Sequence, residues 1–310
     1  MSVSLLDRIA YAKPYELRWG WKLVLFLLAG FAASNIGVPL LAMTLPAASM
    51  LWLRPTLECL AVLVATRYAT TSLDTSGWRG VALGNAAWAP RLLLLGALVG
   101  GVAVAAPTGV AIASGALSFV PAPTEPLARN LALSVAILAP AAMTEELLLR
   151  GYPFTVLRSR WGVSAAMAAT SVVFGVLHLG NPGATPTAIA NVVAAGVFLA
   201  GIRVVTGSLA AAWAAHFAWN WTLSGGFHAA VSGLPFGTPR YRLVDTGTDW
   251  LSGGAWGPEG SVLVAVGMMG TFAGLSWAMG RNRRDGTLAA APEMISLDAG
   301  GPNGRQEHQA

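Results

Sequence analysis

Apolar residues in this chain fall in long unbroken runs, not in the alternating or helical stripes of a soluble domain. A hydrocarbon layer about 30 Å thick takes about 20 mainly apolar residues per helical crossing. A window of that size finds runs at 23–45, 50–67, 92–117, 130–150, 163–180, 186–203, 208–225 and 260–280. The pattern predicts an all-α fold, a polytopic transmembrane helical bundle of about eight spanning helices. Arg54 and Glu58 interrupt the second run. Their spacing places both on one helix face, so they are expected to pair with each other toward the protein interior. Gly96/Gly100 and Gly270/Gly274 are expected to be helix-packing contacts, and Pro140 and Pro182 are candidate local breaks.

The basic residues between the runs orient the bundle, because cytoplasmic loops are rich in Lys and Arg. Arg8, Lys13, Arg18 and Lys22, then Arg67, Arg79 and Arg91, then Arg158 and Arg160, then Arg203, and last Arg281, Arg283 and Arg284 alternate with a side that holds only Arg129, Arg240 and Arg242. Both termini are therefore expected in the cytoplasm. Residues 1–22, with Leu5, Leu6, Ile9, Trp19 and Trp21 among the basic ones, suggest a short interfacial helix, and the first run is expected to be retained and not cleaved. Residues 23–284 form the transmembrane domain, with the motifs described below in 130–225. The segment 227–258 is a long external loop, either a cap or idle. Residues 285–310 are polar and expected to be a disordered cytoplasmic tail. Their ending, Glu307 to Ala310, is not a prenylation signal.

Composition agrees with lipid as the solvent: 55% of the 310 residues are hydrophobic and 11% charged, whereas soluble proteins carry roughly a quarter charged. The net charge of +5 is spread beside the runs with no basic stripe, which excludes nucleic acid as a partner. Cys59 is the single cysteine, so neither an internal disulfide nor a cysteine-based zinc cluster can form.

Ionisable groups in a spanning helix are functional candidates because hydrocarbon penalises them by several kcal/mol. Three clusters qualify. In Glu145-Glu146-Leu-Leu-Leu-Arg150, Glu146 and Arg150 share a face and neutralise each other, while Glu145 is turned about 100° away and left without that partner. A buried carboxyl in that position takes and gives protons near neutrality; the alternative is that both acids merely flank a helix end at the headgroups. Phe174 and His178 share a face of the fifth run, and His216 and Asn220 of the seventh, between Trp213 and Trp221. His228 and His308 lie outside the runs and are expected to be solvated. With a turn near Trp161 and Gly162, Glu145 and His178 come level. His216 joins them if the fourth and fifth helices project beyond the cytoplasmic surface.

These residues resemble the motifs EExxxR, FxxxH and HxxxN of the CAAX-protease and bacteriocin-processing family, also called the Abi family, in the same order and each on an expected span. The resemblance covers about residues 130–225. It implies an intramembrane endopeptidase in which Glu145 activates water and His178 assists. By the same resemblance His216 and Asn220 stabilise the oxyanion, and Glu146, Arg150 and Phe174 support the site. It also implies a membrane-associated protein or peptide substrate. The family has been labelled a metalloprotease, so zinc held by Glu145, His178 and His216 is the competing chemistry. A metal-free, cofactor-free mechanism is favoured because HExxH is missing and Asn220 is a poor zinc ligand. The rival from another class is a non-catalytic immunity or transport protein. High Ala, Gly, Arg and Trp content suggests a bacterial cytoplasmic membrane, where a prenylated substrate is not expected.

Overall fold

In a bilayer an apolar run has no water to satisfy its backbone, so it closes its own hydrogen bonds as a helix. The computed structural model describes residues 11–13, 16–122 and 126–284. Its main helices are α1 (Trp19–Ala42, with a π turn at Ala33–Gly37), α2 (Met50–Tyr68), α3 (Pro90–Ala113), α4 (Leu127–Glu146), α5 (Tyr152–Leu177), α6 (Pro186–Thr206), α7 (Leu209–Trp221) and α8 (Val262–Arg284). Five stretches are long and apolar enough to cross a membrane: Trp19–Ala42, Pro90–Ala113, Leu127–Leu177, Pro186–Thr206 and Val262–Arg281. The chain is a mostly helical integral membrane protein. α2 carries Arg54, Glu58 and Arg67, and α7 has only 13 residues, so neither meets that measure.

The longest stretch bends back on itself at Gly162, whose φ of 82° and ψ of 173° are closed to other residues without strain. This is the expected turn. Arg150 and Phe174, equidistant from Gly162 in sequence, touch, with the guanidinium carbon 4.4 Å from the ring centroid. A π turn over Leu147–Gly151 joins α4 to α5. Pro140 sits inside a continuous α4 and makes no break.

α3 and α7 pack backbone to backbone. A Cβ on Gly96 would lie 2.2 Å from the Ala211 carbonyl oxygen, and one on Gly100 2.1 Å from that of Ala215. That approach seats the helix bearing His216 deep in the bundle, among Ala103, Val104, Ala211, Ala212 and Ala215. Gly270 and Gly274, by contrast, meet nothing within 4 Å, so that expected contact is absent. Gly100→Val should cost roughly 3 kcal/mol, the upper end of overpacking penalties, seen as a lower thermal midpoint in detergent. Gly270→Val, facing open space, should leave the midpoint unchanged.

Three further expectations are corrected or fall outside the described residues. The Arg54–Glu58 pair forms at 2.8 Å, but Arg54 is 61% exposed. α2 turns the compact Cys59, Val62, Ala65 and Thr66 inward instead, since two buried charges would lose more hydration than they regain. Residues 11–17 are not helical where described: Tyr11–Lys13 (β1) pairs with Glu16–Leu17 (β2) ahead of α1. Leu5, Leu6 and Ile9, and the tail 285–310, lie outside the described residues. Within the segment 227–258, Tyr241–Asp245 (β4) pairs antiparallel with Leu117–Pro121 (β3), and short helical turns return the chain to α8.

Candidate active site

The adjacent acids at the end of α4 acquire opposite surroundings. Glu146 is fully buried and accepts from Arg150 Nη1–H at 3.1 Å, with both side chains sealed from solvent. Phe174 closes over the guanidinium, a cation–π contact that compensates part of its lost hydration. Glu145 points elsewhere, as expected one residue earlier on a helix. Its side chain is 38% exposed, and its Oε2 has no hydrogen-bond partner among the described residues.

His216 joins the two acids. Its Nδ1 lies 3.0 Å from Glu146 Oε1. An ionised carboxylate only accepts, so Nδ1–H donates. The bond orients the ring and leaves Nε2 facing Glu145 Oε2 at 3.6 Å, beyond a direct hydrogen bond but within ion-pair range. A line of ionisable groups thus runs Arg150, Glu146, His216, Glu145. Ser208 starts α7 as an N-cap, accepting from Ala211 N–H at 2.9 Å and donating to the Ala87 carbonyl at 2.7 Å. The cap and the glycine seat together set the depth of His216.

His178 follows the last turn of α5, and its Nδ1–H donates to the Phe174 carbonyl at 2.8 Å. The ring packs edge-on to Phe174 at 4.6 Å, which lies 5.9 Å from His216. His178, His216, Asn220 and Phe174 line one cavity, whose other walls include Val192, Phe198 and Leu199. Glu145 does not line it and reaches the site through His216 Nε2. The structure therefore brings together all seven residues singled out from the sequence: four on the cavity, Glu146 and Arg150 behind it, and Glu145 beside it.

Among the described residues no three His, Cys, Asp or Glu side chains gather closely enough to hold an ion. His178 and His216 each commit Nδ1 to a protein oxygen, which leaves Nε2 as the free nitrogen of each ring.

Several buried groups escaped the sequence reading. Glu259, from the loop before α8, lines the cavity. Burial pushes its carboxyl above the ordinary value, opposed first by Ser232 N–H, then by Trp219 Nε1–H, the Ser232 hydroxyl and His178. Arg203, taken as a cytoplasmic loop charge, is 1% exposed. Its guanidinium covers Phe154 at 4.3 Å and donates to Thr155 Oγ1 at 2.9 Å. Asp74 receives Lys22 Nζ and Tyr152 Oη, both at 2.6 Å, tying α1 to the first turn of α5. His228, expected to be solvated, is 4% exposed. It contacts the Ser224 carbonyl at 3.1 Å and the Tyr241 ring, because the loop folds back over it.

No curated protein and no solved structure matches the chain significantly. Residues 127–222 match the family model described as Type II CAAX prenyl endopeptidase Rce1-like. The match begins at the first residue of α4 and ends one residue past α7, so it spans Glu145, His178, His216 and Asn220. Over the helices that carry the site, the resemblance read from three short motifs therefore holds, and this part of the chain is similar to the Rce1-like type II CAAX prenyl endopeptidases.

Proposed function

We propose that the protein is an intramembrane endopeptidase of the CAAX-protease and bacteriocin-processing type, hydrolysing peptide bonds of membrane-associated substrates with a glutamate-activated water. One observation carries the reading. Of two adjacent acids, Glu146 is locked between Arg150 and His216, while Glu145 keeps a buried oxygen without a hydrogen bond 3.6 Å from His216 Nε2. A structural role accounts for the first acid and leaves the second poised for proton transfer.

In this mechanism Glu145 removes a proton from water, with the free Nε2 of His178 positioning that water. The hydroxide adds to the substrate carbonyl carbon. The oxyanion accepts hydrogen bonds from His216 Nε2–H and the Asn220 amide, and Glu146 holds the imidazole in register through Nδ1. As the C–N bond breaks, the proton on Glu145 passes to the leaving amine, so base and acid are one group used twice. Donors preset in a dry cavity stabilise developing charge more than water can. The apolar walls Val192, Phe198 and Leu199 suit a lipid-embedded peptide. The reading includes about eight crossings with both termini in the cytoplasm of a bacterial plasma membrane, and a substrate without a prenyl group.

The experiment is metal removal. The purified protein, reconstituted in liposomes and stripped with excess chelator, should cleave membrane peptides at its untreated rate. Loss of cleavage restored by zinc would overturn the metal-free mechanism, and a protein that cleaves none of a broad peptide set would overturn the protease reading.

A further inference from the structure

The segment after α7 turns back over the cavity and is fastened there by polar bonds from three directions. Ser232 adopts a left-handed φ of 48°, conformational strain that surrounding contacts must over-determine. Its carbonyl accepts from Asn181 Nδ2–H at 2.9 Å, from the turn between α5 and α6. The next residue, Gly233, donates its N–H to the Trp256 carbonyl at 3.0 Å.

The third direction is Glu259. Its Oε2 accepts from the Ser232 backbone N–H and from the Ser232 hydroxyl at 3.2 Å. Its Oε1 accepts from Trp219 Nε1–H at 2.5 Å. Its own backbone is pinned to α6, where Asn191 Nδ2–H donates to the Glu259 carbonyl at 2.9 Å and to that of Ser261 at 2.8 Å. The carboxylate of Glu259 thus links α7 to the returning loop, and the backbone around it is tied to α6 just ahead of α8. Ser232, Trp219, Asn191 and Glu259 line the same cavity as His178, His216 and Asn220. A buried carboxylate costs several kcal/mol unless its oxygens are satisfied, and the donors here come from two different walls. Nothing in the hydrolytic mechanism uses it.

We infer that Glu259 is a positioning residue of the active site, holding Ser232 and the Trp219 indole as one wall of the peptide-binding cavity and thereby setting how tightly substrate is held. As far as it concerns substrate, the inference rests on the protease reading; the wall itself does not. Glutamine cannot replace this carboxylate. It offers one acceptor oxygen, and turning its NH₂ toward Ser232 N–H or Trp219 Nε1–H sets donor against donor. Glu259→Gln must release one of the two.

The test uses the full chain in detergent micelles and has two arms. In hydrogen exchange, Glu259→Gln should accelerate the Ser232 and Gly233 amides at least about tenfold, as expected when a local closure is released, with α3 and α6 unchanged. In kinetics on a peptide that the wild type cleaves, KM should rise about tenfold, the size of one hydrogen bond to a charged group, while kcat stays within about threefold. Glu259→Asp, which keeps both acceptor oxygens, should recover part of the KM. Trp219→Phe, which keeps the ring beside Phe198 and removes only the donor, should raise KM about threefold, and it carries the kinetic arm if the Gln variant does not fold. Unchanged exchange at Ser232 and Gly233 overturns the inference whatever the activity. A fall in kcat at constant KM would make Glu259 a folding residue only, which also overturns it. A wild type that cleaves nothing contradicts the protease reading, and the exchange arm still decides the wall.

Discussion

Glu145→Gln is expected to slow peptide cleavage by about 10²–10⁴-fold, the usual contribution of a positioned general base, in a protein that stays folded. The substitution is nearly isosteric and falls on a side chain that is 38% exposed. It breaks no hydrogen bond of Glu145 Oε2, which has none among the described residues. An amide cannot take the proton from water, so only chemistry is removed. Rates per folded molecule in liposomes, with folding followed by thermal midpoint, separate this from misfolding. A drop in rate that merely tracks a drop in folded protein would contradict the assigned role.

The neighbouring acid should behave in the opposite way. Glu146→Ala strands the Arg150 guanidinium, fully sealed from solvent, and leaves His216 Nδ1–H without its acceptor. Removing one partner of a buried pair typically costs about 3–5 kcal/mol, a large part of the roughly 5–15 kcal/mol that holds a domain together. Denaturant titration in detergent should show that loss, with little effect from Glu145→Gln. Equal stability effects from the two substitutions would dissolve the distinction between them.

That distinction was legible in the sequence because it is local. The i, i+4 spacings of Glu146 with Arg150, Phe174 with His178 and His216 with Asn220 are consequences of helix pitch, and the low charge of the surrounding runs makes each ionisable group conspicuous. The turn at Gly162 was equally readable, from a glycine that divides two apolar runs. What escaped depends on which segments meet. Glu259 lies in a Gly- and Pro-rich stretch that reads as solvated loop, and only the fold shows it against Trp219 and Ser232. His228 was misplaced for the same reason. Arg203 sits at the end of an apolar run, where a snorkelling side chain is the ordinary reading; its burial follows from α6 packing on the first turns of α5, where Thr155 and Phe154 wait for it. The outward Arg54–Glu58 pair and the empty flanks of Gly270 and Gly274 make the converse point: spacing identifies a shared face, and the neighbours decide whether that face is inside.

The peptide reaction itself can be read directly in membranes. Cells making equal amounts of the wild-type protein or of Glu145→Gln are compared for newly formed peptide termini in the membrane fraction. Termini present with the wild type and missing with the variant are the predicted result. Identical sets of termini, with both proteins folded and inserted, would contradict a hydrolytic role for this cavity.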